Sequence, residues 1–253
     1  MRSTIIIATA MLLVAAAMPA SGAAPDPYNV QRVFCRFNLA KVIPLDDGNA
    51  WGMIYADIYG KIHLRRATAD GWKVEWETPS LGSKVRDFVI RDMDMDGSAD
   101  IVVATYGGRI LIHNMYDFGV DWENLEDRFG SIAAFQVANI DNDPQPEMII
   151  LADGRLHIFD GRNKSRQWTS ERDFDATEML VENVDQDDQL EIVFNSGIIM
   201  DTRFFSIELE WGKAFGDRIA AFDMNEDGVL DIVGEFSDFS LRIFDARAKR
   251  EVW

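Results

Sequence analysis

The sequence predicts an all-β fold in which one four-stranded unit is repeated five times along the chain. A nine-residue acidic segment followed by an apolar run occurs four times, with its last residue at Asp100, Glu147, Glu191 and Asp231. Tryptophan recurs in the same rhythm, at positions 76, 122, 168, 211 and 253. Two independent markers that keep one period of forty-odd residues indicate a structural repeat rather than chance.

Residues 1–23 have the pattern of a secretory signal peptide. Arg2 supplies the positive start, Ile5 to Met18 is an apolar run without charge, and Ser21-Gly22-Ala23 fits a small-residue cleavage site. A membrane anchor is the alternative, but the run is shorter than the roughly 20 residues that a span needs. We therefore expect export to the periplasm, the cell surface or the medium, with a mature part that does not insert into a membrane.

Residues 24–38 form a lead-in with one strand-like stretch, Tyr28 to Phe37. Trp253 ends the chain on the tryptophan position of the last unit, which leaves no spare strand there. The strand-like stretch is therefore predicted to pack between the first and last units as a closing strand. Cys35 is the only cysteine, so it forms no internal disulfide and is expected to be a small buried side chain.

The repeat region covers residues 39–253. Its runs of Val, Ile and Phe alternate with glycine-containing turns, as in β-strands, and no segment keeps a helical period. Four-stranded units of this length are typical of a β-propeller, and an open solenoid is the alternative. We predict a five-bladed β-propeller with units at about 39–80, 81–127, 128–172, 173–214 and 215–253.

The four acidic segments are predicted loops between the first and second strands of units 2 to 5. Oxygen-bearing side chains stand at loop positions 1, 3, 5 and 9, and a tight loop of this kind can turn them toward one hard cation such as Ca²⁺. These side chains are Asp92, Asp94, Asp96 and Asp100; Asn139, Asp141, Asp143 and Glu147; Asn183, Asp185, Asp187 and Glu191; and Asp223, Asn225, Asp227 and Asp231.

The pattern Asp-x-Asp-x-Asp-Gly-x-x-Asp before an apolar strand resembles the FG-GAP or VCBS-type repeat of integrin-α-like propellers, over residues 39–253. The resemblance implies that the loop binds Ca²⁺, with about four structural sites in this chain. It also implies a further ligand, the backbone carbonyl at position 7, which belongs to Ser98, Gln145, Gln189 and Val229.

The loops differ at position 6, where glycine provides a left-handed backbone in the first and last of them. Asp188 is expected to tolerate that conformation, whereas Pro144 cannot adopt it, so the loop at 139–147 is predicted to be the weakest site. In unit 1 the corresponding positions hold Pro44, Asp46, Gly48 and Gly52, which predicts an empty site.

An EF-hand is the main alternative for acids at this spacing. It needs flanking helices and a glutamate at position 12. Position 12 here is Val103, Ile150, Phe194 or Gly234, and predicted strands flank every loop. The sequence therefore disfavours an EF-hand.

Composition limits the partners. The net charge is −18, which argues against nucleic acid and anionic membrane surfaces, since both require a basic surface. We expect a monomer that binds a protein or a glycan. Trp51 and Trp72 lie outside the tryptophan rhythm and are the candidates for exposed aromatic contacts.

The sequence contains no recognisable catalytic motif. His63 and His157 occupy the same place in their units, where Leu111 and Arg242 stand in two others, so this position is not a catalytic one. His113 is likewise expected to be structural. We expect a non-catalytic adhesion or scaffold module. The alternative is a secreted, polysaccharide-acting hydrolase or lyase on the same fold, which a histidine or an acid outside the repeat and inside a pocket would favour.

Overall fold

The computed structural model describes residues 39–45, 48–141, 143–185 and 187–253. The predicted signal peptide, the lead-in with its closing strand, Cys35 and Asp46 lie outside these residues. The described part forms five four-stranded antiparallel sheets, each with its strands in sequence order. No helix in this part is long and apolar enough to cross a membrane. The predicted all-β, five-bladed architecture is confirmed.

Each blade consists of four consecutive strands, and blade n falls within predicted unit n. Blade 1 contains β1 (Ala40–Leu45), β2 (Ala50–Ala56), β3 (Ile62–Thr68) and β4 (Gly71–Glu77), and blade 2 contains β5 (Val85–Arg91), β6 (Asp100–Thr105), β7 (Ile110–Asn114) and β8 (Val120–Glu123). Blade 3 contains β9 (Ile132–Ala138), β10 (Glu147–Ala152), β11 (Arg155–Phe159) and β12 (Arg166–Thr169). Blade 4 contains β13 (Met179–Glu182), β14 (Glu191–Phe194), β15 (Ile198–Asp201) and β16 (Ile207–Glu210), and blade 5 contains β17 (Arg218–Phe222), β18 (Asp231–Glu235), β19 (Leu241–Asp245) and β20 (Arg250–Glu251).

The second strand of each interior blade is buried along its whole length. β6, β10 and β14 begin at loop position 9 and continue with apolar residues, Thr105 excepted, because sheets pack against both of their faces. The first strands of blades 2 to 5 lie beside one another, and the fourth strands are the most exposed. Each acidic loop therefore connects the first strand of its blade to the buried second strand.

Four hydrophobic clusters join consecutive blades. The cluster between blades 2 and 3, for example, includes Val102 and Ile112 on one side and Phe135 and Ile150 on the other. Equivalent clusters join blade 1 to 2, blade 3 to 4, and blade 4 to 5. Within the described residues, no cluster joins blade 5 to blade 1. Blades 1 and 5 therefore each have one sheet face without a neighbouring blade there.

The strand register corrects one of the tryptophan markers. Trp76, Trp122 and Trp168 pair with the middle of the third strand of their blades. In blade 4 the equivalent residue of the third strand is Ile199, and it pairs with Leu209. Trp211 lies two residues further along the chain. Trp211 still fills the interface with blade 5, because its ring contacts Phe244 edge-on at 4.9 Å between centroids.

The turn between the second and third strands brings a blade against its successor. Gly108 has φ of +83°, and its carbonyl accepts a hydrogen bond from Phe129 N at the start of blade 3. A Cβ on Gly108 would lie 1.9 Å from the Phe129 carbonyl oxygen, and one on Gly60 would lie 1.9 Å from that of Ser83. Only glycine permits this approach. In blade 5 the corresponding residue is Phe239, which has φ of +63° and is 73% exposed.

Candidate metal centres

The four acidic loops share one internal hydrogen bond. In each, a carboxylate oxygen at position 9 accepts the backbone N–H of position 2, at 2.8 to 3.0 Å. The pairs are Asp100 with Met93, Glu147 with Ile140, Glu191 with Val184, and Asp231 with Met224. This bond closes the loop onto the start of the second strand and leaves the other oxygen of the same carboxylate for a further partner.

The loops of blades 2 and 5 close around an aspartate at position 1. The Asp92 carboxylate accepts the N–H groups of Asp96 at 3.2 Å and Gly97 at 2.9 Å. Asp223 accepts the equivalent pair in blade 5 at 3.1 and 3.0 Å. Both glycines at position 6 have positive φ, as the sequence predicts. Position 4 is also left-handed in both loops, at Met95 and Glu226, which the sequence pattern does not indicate.

The loops of blades 3 and 4 bend differently, around asparagine at position 1. The side-chain Nδ2 of Asn139 donates to the Asp143 carbonyl at 2.7 Å, and Asn183 makes the same bond with Asp187 at 2.6 Å. Neither loop has a positive φ at position 6. Asp188 therefore does not use the left-handed backbone that it is expected to tolerate. Pro144 does not distinguish the blade-3 loop either, because the blade-4 loop has the same bend without proline.

Three groups of carboxylates converge closely enough to share one cation. In each group the three oxygens lie within 4.8 Å of one another, which is about the separation of two oxygens on opposite sides of a Ca²⁺ ion at roughly 2.4 Å. The groups are Asp92, Asp94 and Asp96; Asp141, Asp143 and Glu147; and Asp185, Glu191 and Glu208.

Some predicted ligands lie outside these groups. Asp100 and Asp187 are not members of the groups in their own blades. In the part of the chain that the structure describes, the blade-5 acids form no such group, and Asp227 lies 3.5 Å from Nη1 of Arg247. The structure thus brings together some of the predicted side chains in blades 2, 3 and 4. In blade 5 it instead places the Arg247 guanidinium beside Asp227.

Two glutamates at position 9 carry buried oxygens without a partner. Glu147 and Glu191 are 0% exposed, and Oε1 of each has no hydrogen-bond donor. Burial, together with nearby acids such as Asp141 and Asp185, raises the pKa of Glu147 to about 7 and that of Glu191 to about 8. An unpaired buried carboxylate is costly, and a bound cation would remove the cost. The loops therefore fit a hard divalent cation.

Sequence reasoning missed Glu208, which comes from β16 rather than from a loop. Aligning unit 4 on Trp211 hides its position, because that tryptophan lies two residues beyond the equivalent point. Aligned on Leu209, Glu208 corresponds to Asp121 in blade 2 and Gln167 in blade 3. Correct alignment of the fourth strands was the signal that could have found it.

In blade 1, β1 and β2 pair from Leu45 with Ala50 onward, and Gly52 pairs with Ile43 inside the sheet. Positions 1, 5 and 9 of its predicted empty site are Pro44, Gly48 and Gly52, which carry no side-chain oxygen.

The histidines are held by structural contacts. His63 has both ring nitrogens within reach of carboxylates, Nε2 at 2.9 Å from Asp57 and Nδ1 at 3.2 Å from Glu77. His113 and His157 are buried, and burial lowers the pKa of each. A cavity of about 400 Å³ lies between blades 3 and 4 beside the blade-3 loop, and no histidine lines it. Its lining residues are Ile140, Asp141, Gln167, Gln189, Thr202, Arg203 and Phe205.

Comparison with known proteins supports the β-propeller fold. No protein-family model and no curated protein matches the chain. The chain is similar to BamB from Moraxella catarrhalis, with 18% identity and a TM-score of 0.48 over 84% of this chain and 59% of that one. It is also similar to BBS1N, solved in complex with ARL6DN and soaked with lead, with 12% identity and a TM-score of 0.61 over 85% and 66% of the two chains. The chain therefore spans less than two thirds of the length of these structures.

Proposed function

We propose that the chain is an exported, non-catalytic binding module, an FG-GAP or VCBS-type propeller whose acidic loops hold structural Ca²⁺. The observation that carries the proposal is the pair of buried, partnerless oxygens, Glu147 Oε1 and Glu191 Oε1. Each belongs to a group of three converging carboxylates, Glu147 with Asp141 and Asp143, and Glu191 with Asp185 and Glu208. A loop that buries a carboxylate oxygen without a hydrogen-bond donor is suited to bind a cation.

Calcium would serve the frame of the propeller. The side chains at positions 1, 3, 5 and 9 and the carbonyl at position 7 would hold it, and the bound ion would neutralise acids that otherwise repel one another. The net charge of −18 makes that neutralisation important for the whole molecule. Because position 9 begins the fully buried second strand, the ion would also fix the loop to the hydrophobic core.

The remaining surface supports binding rather than catalysis. The cavity beside the blade-3 loop contains one carboxylate, Asp141, which belongs to the loop itself. Trp51 and Trp72, in contrast, are 56% and 53% exposed on blade 1, as the sequence predicts. Exposed tryptophans commonly contact proteins or sugars. The similar BBS1N structure is that of a complex, which supports a partner-binding role.

Thermal unfolding of the purified mature protein tests the calcium proposal. We expect the melting temperature to rise when CaCl₂ replaces EDTA, since a native-state ligand at 100 times its dissociation constant adds about 2.7 kcal/mol per site. Glu191→Gln should reduce that rise, whereas Glu171→Gln, an exposed control, should not. An unchanged melting temperature in excess EDTA would contradict the proposal.

A glycan array and hydrolase assays test the second half of the proposal. We expect saturable binding in CaCl₂ that decreases in EDTA and in the Trp51→Ala, Trp72→Ala double variant. A steady turnover of glycosides or polyuronates that is lost on a single acid-to-amide change outside the loops would instead support the secreted hydrolase or lyase.

A further inference from the structure

We propose that Glu208 is a ligand of the blade-4 cation site, so that one ion ties the outermost strand of the blade to its acidic loop. The inference rests on the proposed function, because the ion is the one that the loop would hold. Asp185, Glu191 and Glu208 each present an oxygen, and the three oxygens lie within 4.8 Å of one another. No loop position supplies Glu208, which belongs to β16.

A β-bulge explains how an outer-strand side chain reaches the loop. Ile207 pairs with Met200 and Leu209 pairs with Ile199, so Glu208 is the extra residue between two successive pairs. Ile207 packs in the cluster toward blade 3, whereas Leu209 packs in the cluster toward blade 5. Residues two apart in a regular strand would share a face. The bulge breaks this alternation and redirects Glu208.

The strand pairing places the bulge at the correct end of the blade. Glu191, at loop position 9, pairs with Asp201 at the end of β15. The turn that follows is attached to the loop, since both the N–H and the hydroxyl of Thr202 donate to the Leu190 carbonyl. β16 starts from this turn. Glu208 therefore lies beside the loop because the backbone of the turn is bonded to it.

The buried oxygen of Glu191 is the independent sign that this cluster takes a ligand. Oε2 of Glu191 accepts the Val184 N–H at 2.8 Å, whereas Oε1 has no donor although the residue is 0% exposed. No N–H or hydroxyl in the described structure satisfies Oε1. A cation between Glu191, Asp185 and Glu208 would satisfy it and would balance the three charges.

The charges around Glu208 favour a cation at this point. Asp185, Asp187 and Asp201 repel the Glu208 carboxylate, while Lys249 of blade 5 attracts it. Five carboxylates, counting Glu191 and Glu208 itself, thus face a single ammonium group. Without an ion, Glu208 is repelled by the loop that it approaches. With an ion, the same acids become its coordination sphere.

Blade 3 provides a natural counterpart without this ligand. Its bulge residue is Gln167, and the carboxylate group of the blade-3 loop contains only loop residues. The Gln167 Nε2 amide lies 3.4 Å from Asp160 Oδ2 and brings no carboxylate to the loop. Glu208→Gln therefore gives blade 4 the bulge residue of blade 3. The substitution replaces one carboxylate oxygen with an amide NH₂ group and changes the side-chain volume little.

The test compares Glu208→Gln with Glu210→Gln in the mature protein. Glu210 lies on the same strand, and its partner is Arg172 at 3.2 Å, so its substitution removes the same charge without touching the site. Calorimetric titration with CaCl₂ should show one binding event weakened at least about tenfold in Glu208→Gln, since even outer-shell changes cost roughly 10- to 100-fold. Glu210→Gln should match the wild type. Hydrogen exchange in residues 207–210 should slow on Ca²⁺ addition in the wild type and not in Glu208→Gln.

The melting temperature gives a second readout, because the effect of Glu208→Gln on it should change sign between EDTA and CaCl₂. In EDTA, Glu208→Gln should melt at or above the wild-type temperature, because a repelled charge is removed, and in CaCl₂ it should melt below it. A lower melting temperature in both conditions would show a structural role and overturn the inference. Wild-type affinity in Glu208→Gln with weakened binding in Glu191→Gln would overturn the inference and leave the proposed function intact. If the wild type binds no Ca²⁺, the proposed function fails and the inference with it.

Discussion

Blades 2 and 5 share a local sequence plan but differ in their neighbours. Both loops begin with Asp and Met, have an acid or an amide at position 3, and have Asp and Gly at positions 5 and 6. Both make the same hydrogen bonds, and the same two positions are left-handed. Yet Met93 at position 2 is fully buried in blade 2, whereas Met224 is 52% exposed in blade 5. Local sequence therefore determines the conformation of the loop, and, among the described residues, packing against a following blade determines what the same side chain contributes.

One residue of the turn distinguishes the two blades directly. Gly108 allows the carbonyl of Phe129 to approach, whereas Phe239 at the same position places a side chain in that space. A non-glycine residue with positive φ is held at a cost of roughly 1 kcal/mol. The difference shows that the glycine at this turn is required by packing between blades and not by the turn itself, which closes in both cases.

The largest effect is expected from exchanging these turn residues. Gly108→Ala should lower the free energy of unfolding by on the order of 3 kcal/mol or more, because its Cβ would overlap the backbone of blade 3. Phe239→Gly should change it by about 1 kcal/mol or less. Denaturant unfolding of both variants measures the difference. Equal losses would mean that blade 5 is packed as tightly at this turn as blade 2.

The next largest effect concerns the methionine at position 2. Met93→Ala should destabilise by about 2–5 kcal/mol, because it leaves a cavity between blades 2 and 3. Met224→Ala should change stability by no more than about 0.5 kcal/mol, as at other exposed positions. Thermal and chemical unfolding in CaCl₂ give both values. A large loss from Met224→Ala would show that this side chain is packed rather than exposed.

A moderate effect is expected at the blade-5 loop, where Arg247 pairs with Asp227 at 3.5 Å. Arg247→Ala removes a positive charge beside the predicted ligands and should strengthen Ca²⁺ binding at this loop by roughly fivefold, given about 1 kcal/mol for a charge pair in water. Tyr116 stands at the same turn position in blade 2 and is uncharged. Tyr116→Ala should leave the affinity of the blade-2 loop unchanged, and calorimetry distinguishes the two. Weaker binding in Arg247→Ala would show that the arginine supports the loop.

The smallest effect is one of pH in the chelated protein. Burial raises the pKa of Asp100 from 3.8 to about 6, and it raises that of Asp231 in the same direction. The folded state then holds a proton that the unfolded state releases, so the contribution of Asp100 to stability is fully present below about pH 4 and is lost as the pH rises through about 6. Asp100→Asn should reduce this fall in EDTA. A steeper fall in the variant would contradict the assignment.

The sequence by itself determined the features that depend on residues close together in the chain. The strands of blade 2, the turn at Gly108 and the closing bond of Asp100 all follow from apolar runs, glycine and acid spacing within about a dozen residues. The position-6 glycines, Gly97 and Gly228, also adopt the predicted conformation. These features recur in several blades because the same local forces act each time.

Only the tertiary structure decided what depends on strand pairing and on neighbouring blades. Trp211 keeps the rhythm of the sequence but not the register, because a side chain two residues further along can fill the same interface. Asp188 avoids the left-handed backbone because the Asn183 amide closes its loop differently. Glu208 reaches a loop 17 or more residues earlier through a bulge in the pairing of β15 with β16. Local periodicity fixes which residues form strands and loops, whereas burial, register and cross-strand distance are set only when the sheets pack.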